Sequence, residues 1–108
     1  MLIGAAHDDP AVTPAPSLRY DACLLVPDGV VGDGEVGVRT LRGGDYATGS
    51  LIGGCAATWE GQGQWLACTY ARHIGRQVAK APALEIYFRS PLEVPPHEVV
   101  CDLMIPLE

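Results

Sequence analysis

The residue best placed to do chemistry is Glu85, a carboxylate inside the apolar segment PALEIYF. The alternation of this segment predicts a strand with Glu85 and Tyr87 on one face. The opposite face is expected in the core: Leu84, Ile86 and Phe88. Because an unpaired buried charge costs several kcal/mol, the Glu85 carboxylate must be paired, protonated or solvated through a cleft. The alternative is an edge carboxylate that faces water, since glutamate is seldom buried without a partner.

The remaining reactive side chains do not form a recognisable metal or cofactor motif. The cysteines never occur as CxxC and have apolar neighbours, which favours buried, reduced thiols: Cys23, Cys55, Cys68 and Cys101. The histidines have no partner at metal-ligand spacing: His7, His73 and His97. The glycine-rich stretches lack both a following Lys-Ser/Thr and a GxGxxG frame. We therefore predict neither a metal nor a cofactor.

Composition indicates one globular domain that binds neither nucleic acid nor membrane. The chain has 108 residues, 48% of them hydrophobic and 19% charged. No apolar run approaches the roughly 18 residues of a membrane span. The net charge is −6 and the seven basic residues are scattered, so no basic stripe can neutralise phosphates directly. The N-terminal segment MLIGAAHDDP lacks the pattern of a signal peptide, and we expect a cytoplasmic protein.

An internal repeat organises the two ends of the chain. Residues 10–24 and 91–105 align without gaps at an offset of 81 positions, which superimposes prolines and one aspartate. Each copy predicts an apolar strand, a proline-containing connection and a second strand with the aspartate near its middle. The equivalent positions of Asp21 and Asp102 suggest a structural role, such as a turn or a cross-strand hydrogen bond.

The middle of the chain predicts further strands and one helix. Residues 35–41 (EVGVRTL) alternate as a strand, residues 42–45 form a turn, and residues 46–52 continue as extended chain. From about Cys55 to Ile74 the apolar spacing is helical, and Gly75 is placed as a C-terminal stop. The expected apolar stripe of this helix is Cys55, Trp59, Leu66, Tyr70 and Ile74. These elements predict an α+β fold with one principal helix and a mainly antiparallel sheet.

The element order corresponds to about one and a half strand-helix-strand-strand repeats. Residues 34–108 hold a complete unit, whereas residues 1–27 lack an opening strand and a helix. We interpret residues 1–108 as a single domain.

Three segments resemble the GyrI-like effector-binding domains: HDDPAVTPAPSLRYDACLLVP, VGVRTLRGGDYATG and PALEIYFRSPLEVPPHEVVCDLMIPLE. Such domains are the ligand sensors of AraC-type transcription activators, and they occur alone in proteins related to the DNA gyrase inhibitor. The resemblance covers nearly the whole chain. It implies two strand-helix-strand-strand repeats about a pseudo two-fold axis with a ligand cleft between them, and a role related to transcription regulation.

The resemblance also implies a ligand and a site. Family members bind lipophilic, often cationic compounds, and the glutamate on the strand after the second helix carries the ligand contact; by motif match this is Glu85. Such a cleft needs aromatic walls to hold a flat cation. The candidates are Tyr87, on the face of Glu85, then Trp65, Tyr20, Tyr46 and Tyr70. Each of these rings could instead pack in the core.

Two other functions remain open beside ligand binding or sequestration. Some GyrI-like proteins hydrolyse strained electrophiles, and Glu85 with Tyr87 or Tyr20 could act as a general acid and base. No second carboxylate or nucleophile-base signature supports this, so binding is favoured over catalysis. A protein-interaction module of the gyrase-inhibitor kind is the third hypothesis.

The missing strand and helix would leave an apolar patch that seldom persists on a soluble monomer, and we expect a homodimer.

Overall fold

The computed structural model describes residues 2–9, 12–53 and 61–108. Within these residues a helix, α1, occupies residues 61–73, and five antiparallel strands form one sheet. The strands are β1 (Leu2–Ala6), β2 (Tyr20–Leu24), β3 (Tyr46–Ile52), β4 (Ala83–Arg89) and β5 (Val100–Pro106). Their order across the sheet is β2-β1-β4-β5-β3. The predicted α+β class, with a mainly antiparallel sheet and one principal helix, is confirmed.

The sequence repeat recurs in the backbone at the same offset of 81 positions. Strands β1 and β2 correspond to β4 and β5, and the short 3₁₀ turn Ala15–Ser17 corresponds to Pro96–Glu98. Even single hydrogen bonds repeat: Leu18 N–H donates to the Ala15 carbonyl, and Val99 N–H donates to the Pro96 carbonyl. Strand β3 and helix α1 have no counterpart in the first copy among the described residues.

Helix α1 buries a face whose spacing differs from that of a regular α-helix. Residues Trp65–Tyr70 are π-helical, and the Ala71 N–H donates to the carbonyl of Leu66, five positions earlier. Leu66 and Ala71 are consequently on the inner face, and both are buried. Tyr70 and Ile74, which the α-helical spacing places beside Leu66, are exposed. The predicted stripe is therefore confirmed at Leu66 and wrong at Tyr70 and Ile74, while Cys55 and Trp59 lie outside the described residues.

The helix ends at the predicted glycine. Gly75 has a φ of +74°, a conformation that glycine adopts without steric cost. Its N–H donates to the Arg72 carbonyl at 3.0 Å, and the Arg76 N–H donates to the Ala71 carbonyl at 2.8 Å. These two bonds form a Schellman motif, which satisfies carbonyls that the end of a helix leaves unpaired.

The predicted strand over residues 35–41 is absent. The described segment forms only an isolated bridge between Asp33 and Val36, closed around Gly34 with a φ of +59°. Residues 35–40 are exposed and only Leu41 is half-buried. Strand propensity reflects packing against neighbouring strands, and this segment has no neighbour that would pair with it.

Two further burial predictions are wrong. Phe88 is 53% exposed because the register shifts between Tyr87 and Arg89, and a bulge there takes Phe88 out of the alternation. The thiols also differ in environment: Cys101 is buried and Cys23 is half-buried, whereas Cys68 is exposed on α1.

The hydrophobic cluster under α1 belongs to the half of the sheet formed by β5 and β3, while Ile3, Ala5 and Leu84 are buried in β1 and β4. Leu66 and Ala71 from the helix pack with residues of β3 and β5 and of the following segment: Ala47, Leu51, Leu103, Ile105 and Leu107. In the other repeat, the positions equivalent to Leu103 and Ile105 are Ala22 and Leu24, and both are exposed. The face of β2 that would meet a second helix is open, because Tyr20, Ala22 and Leu24 are all exposed.

Truncation of Leu66 tests this core. Leu66 is 2% exposed, so Leu66→Ala should lower the free energy of unfolding by about 2 to 5 kcal/mol through lost burial and a residual cavity. The control is Leu92→Ala, at a leucine that is 85% exposed, which should change stability by less than about 0.5 kcal/mol. Urea unfolding followed by circular dichroism measures both, and equal stabilities for the two variants would contradict the packing described.

Candidate functional site

A cleft of about 820 Å³ lies between helix α1, the segment that precedes β4, and the sheet. Its size falls within the range of about 300 to 1,000 Å³ that is typical of small-molecule sites. The apolar side chains of its lining are small or aliphatic and include Ala6, Ala67, Ala83, Leu103 and Ile105. The polar ones include His7, Asp8, Asp9, Arg19, Gln64, Lys80 and Glu85. The cleft exists because α1 covers one repeat and leaves the other open.

Strand pairing brings Glu85 to the face of the sheet on which α1 packs. Glu85 pairs with Leu103 on β5 and with Gly4 on β1, and directly paired residues of antiparallel strands share a face. Since Leu103 belongs to the core under the helix, the Glu85 carboxylate emerges at the border between the covered and the open half. The alternation predicted for residues 83–87 therefore places the Glu85 side chain on the face of the sheet that α1 covers in part.

Two tyrosines accompany the Glu85 carboxylate. The Tyr87 hydroxyl donates a hydrogen bond to Glu85 Oε2 at 2.5 Å. Tyr20 lies across Gly4, where a β-carbon on the glycine would overlap the tyrosine hydroxyl. Gly4 therefore provides the space that brings the Tyr20 hydroxyl close to Glu85 and Tyr87.

Burial shifts the pKa values of Glu85 and its two tyrosine neighbours. Burial raises the pKa of Glu85 above its ordinary value, and the hydrogen bond from Tyr87 opposes that shift only in part. Burial also raises the pKa of Tyr20 and, together with the neighbouring Glu85, that of Tyr87. Both hydroxyls are consequently protonated donors at neutral pH. Nearby, burial raises the pKa of the Cys101 thiol to about 12, which makes it a poor nucleophile.

Charged pairs hold the connection between β1 and β2 at the rim of the cleft. Arg19 binds Asp8 through Nε and a terminal nitrogen, each at 3.0 Å, and its backbone N–H donates to the same carboxylate at 2.9 Å. His7 Nε2 lies 2.8 Å from Asp21 Oδ2, and Arg39 lies 3.1 Å from that oxygen. Arg19 lowers the pKa of Asp8, and His7 lowers that of Asp21. Both carboxylates are therefore ionised at neutral pH.

Asp21 and its repeat counterpart both act structurally, as the repeat suggested. Asp102 accepts a hydrogen bond at 2.6 Å from Ser50, its cross-strand partner on β3. The sequence analysis did not identify His7, Asp8 and Arg19 as residues at the rim of the cleft. The sequence alone does not show which side chains they pair with across the connection between β1 and β2.

The other predicted site residues occupy different surroundings. Trp65 and Tyr70 stack on each other with ring centroids 5.6 Å apart, and both are exposed on α1 outside the lining of the cleft. The Tyr46 hydroxyl donates to the Arg42 carbonyl at 2.6 Å near the start of β3. The fold thus groups Glu85 with Tyr87 and Tyr20, and it separates Trp65, Tyr70 and Tyr46 from them. Of the six predicted site residues only Glu85 lines the cleft, so the predicted aromatic walls are wrong.

The family model for the GyrI-like small molecule binding domain matches residues 1–108, the whole chain. The chain belongs to the GyrI-like family. A search of curated proteins found no match. As a GyrI-like domain it is a small-molecule binder, and the cleft at Glu85 has the size of a small-molecule site.

Two further properties bear on the partners of this GyrI-like domain. The described part of the chain contains no helix long and apolar enough to cross a bilayer. Within those same residues, no three His, Cys, Asp or Glu side chains cluster in a way that could hold a metal ion.

The pKa of Glu85 yields a prediction about stability. Folding raises this pKa above the ordinary value of 4.5, so the folded chain binds the proton more tightly than the unfolded chain. The Glu85 contribution is favourable below that value and is lost as pH rises through the folded pKa. Glu85→Gln should therefore raise the melting temperature at neutral pH by a few degrees and leave it little changed near pH 4.

The measurement is thermal unfolding of wild type and variant between about pH 4 and about pH 8. The pKa shifts of Asp8 and Asp21 are common to both proteins and cancel in the difference. Glu35→Gln, in the exposed loop, is the matched control and should follow wild type. A constant difference between Glu85→Gln and wild type across this range would contradict the burial of the carboxylate.

Proposed function

We propose that this domain binds or sequesters a lipophilic, cationic small molecule in the cleft, with Glu85 as the charged contact. The supporting observation is a half-buried carboxylate bordered by the apolar surfaces of Ala83, Leu103 and Ile105. Burial removes water from the Glu85 carboxylate, and a cation bound beside it would compensate for that lost solvation. The apolar lining would bind the hydrophobic part of the same ligand.

The attraction between the Glu85 carboxylate and a cation is strong enough to favour a charged ligand over a neutral one. Opposite unit charges about 4 Å apart interact by about 4 kcal/mol at the effective dielectric constant of a protein surface, against about 1 kcal/mol in bulk water. The hydroxyl of Tyr87 leaves the second oxygen of Glu85 available to a ligand, because its bond is made to Oε2. Tyr87 and Tyr20 thus serve to orient the carboxylate, while small alanines leave room for a bulky ligand.

The pairing of basic residues supports a role without direct nucleic-acid contact. Arg19, Arg39 and Arg76 form ion pairs with Asp8, Asp21 and Asp45, which reduces the charge available to phosphates. With a net charge of −6, the domain would repel nucleic acid at long range. We infer a cytoplasmic sensor or sequestering protein, related to transcription regulation, that acts through its ligand.

The hydrogen-bonded set also favours a second candidate, hydrolysis of a strained electrophile. Glu85, with its raised pKa, would be a stronger base toward water than an ordinary carboxylate, and a tyrosine would donate a proton to the leaving group. The raised pKa values of Tyr20 and Tyr87 make them weak acids for this purpose. This mismatch is the reason to place binding first and catalysis second.

The test of binding uses a fluorescent lipophilic cation, such as rhodamine 6G, and an uncharged dye of similar size. Glu85→Gln should weaken binding of the cation by about 1.5 to 3 kcal/mol, the range for a hydrogen bond to a charged group, and should leave the neutral dye nearly unaffected. Affinity for the cation should also increase with pH as Glu85 ionises. Glu35→Gln, on an exposed loop, is the control with the same loss of charge.

Equal affinities of wild type and Glu85→Gln for the cationic dye would exclude Glu85 as the contact. Recovery of an electrophilic probe as its hydrolysis product, with loss of that activity in Tyr87→Phe, would favour the second candidate instead.

A further inference from the structure

Helix α1 carries exposed apolar side chains beside its buried face. Trp65 is 49% exposed, Tyr70 is 37% exposed and Ile74, just after the helix, is 43% exposed. Trp65 and Tyr70 directly precede Leu66 and Ala71, which are in the core, so the two apolar stripes lie about a quarter turn apart. An apolar surface that extends beyond the face covered by its own sheet indicates a second contact for the helix.

A second apolar surface lies on the open half of the sheet. Tyr20 is 51% exposed and Leu24 is 69% exposed, and they flank Ala22 along the same face of β2. The internal repeat shows what covers this kind of surface. The counterparts of Ala22 and Leu24 in β5 are Leu103 and Ile105, which are buried under α1. The open half of the sheet is thus shaped like a surface that the same chain elsewhere covers with a helix.

The charges of the two surfaces are complementary. Residues 61–74 contain two basic residues, Arg72 and His73, and no acidic residue. Residues 25–38, which follow β2, contain three acidic residues and no basic one: Asp28, Asp33 and Glu35. A helix with this charge would be attracted to the segment that follows β2, whereas two like surfaces of this chain would repel.

We infer that two copies of this chain pack face to face about a two-fold axis, with each α1 between its own sheet and the open half of the partner's sheet. Trp65 and Tyr70 of one copy would cover Tyr20, Ala22 and Leu24 of the other. Because both copies offer both surfaces, the interface is self-complementary and closes at a dimer. The two helices form a middle layer, and each one closes the open side of the cleft beside the partner's Glu85.

The first test is the mass in solution. Light scattering at micromolar concentration should give twice the 11.4 kDa of one chain. Leu24→Asp and Trp65→Asp should each shift the protein to monomer, because each places a charge in an apolar interface that should bury more than about 1,000 Å². Leu92→Asp, at an exposed leucine in the connection between β4 and β5, should remain dimeric.

Circular dichroism verifies that each variant is folded, which is expected because all three side chains are exposed in the single chain. A monodisperse wild-type monomer would overturn the inference. A dimer that survives both Leu24→Asp and Trp65→Asp would do so as well, because it would use another surface.

The second test asks whether the partner contributes to the cleft, and it rests on the proposed function. Glu85→Gln removes the carboxylate, and Trp65→Leu removes the aromatic ring while it keeps an apolar contact. Each variant alone should bind the cationic dye weakly. When the two are mixed and exchange subunits, about a quarter of the clefts should regain wild-type affinity, since the hybrid dimer combines an intact Glu85 with an intact Trp65 from the other chain.

No recovery in mixtures that contain hybrid dimers would mean that Trp65 does not complete the cleft of the partner. If Glu85→Gln alone binds the dye as wild type does, the proposed function fails while the mass measurement still decides the dimer. The two proposals can therefore fail separately.

Discussion

The packing of one helix on half of a repeated sheet is the constraint on which the rest of the structure depends. Leu66 and Ala71 bury Leu103 and Ile105 in the second repeat, and no helix among the described residues covers the first repeat in the same way. The border between the two halves becomes a concavity instead of a core. Glu85 can keep a carboxylate at this border because water or a ligand still reaches it there, whereas beneath the helix its charge would cost several kcal/mol.

The repeat also explains why the two halves have different chemistry in spite of a common backbone. Glu85 and Gly4 occupy equivalent positions and pair with each other across β1 and β4. One copy supplies the carboxylate, and the other supplies the space in which Tyr20 lies. A side chain at Gly4 would displace Tyr20 and reduce the hydrogen bonding around Glu85. Divergence of two equivalent positions has thus produced an asymmetric site from a symmetric frame.

Sequence reasoning succeeded where local pattern determines structure. The gap-free offset located both strand pairs and the proline-containing connections between them, and the alternation around Glu85 predicted the orientation of its side chain. It failed where contacts with residues distant in the sequence determine the local structure. Residues 35–41 have strand propensity but no strand to pair with, and Phe88 leaves its predicted face at a bulge. The helix stripe was wrong because a π-helical segment changes which residues share a face, a feature that α-helical spacing does not reveal.

The candidate site shows the same division. Strand alternation predicts Glu85 and Tyr87 on one face, while the approach of Tyr20 depends on the pairing of β1 with β2. The predicted helix stripe left out Trp65, which is exposed, but it included Tyr70, which the π-helical turn also exposes. No local signal revealed this turn.

In the proposed dimer, assembly and ligand binding become thermodynamically linked. The partner's helix would remove water from the open side of the cleft, which strengthens the attraction between Glu85 and a bound cation and raises the cost of an unpaired carboxylate. The ligand would then bind the dimer more tightly than the monomer. By reciprocity it would stabilise the dimer by the same free energy. The domain could in this way report the presence of its ligand through its state of assembly.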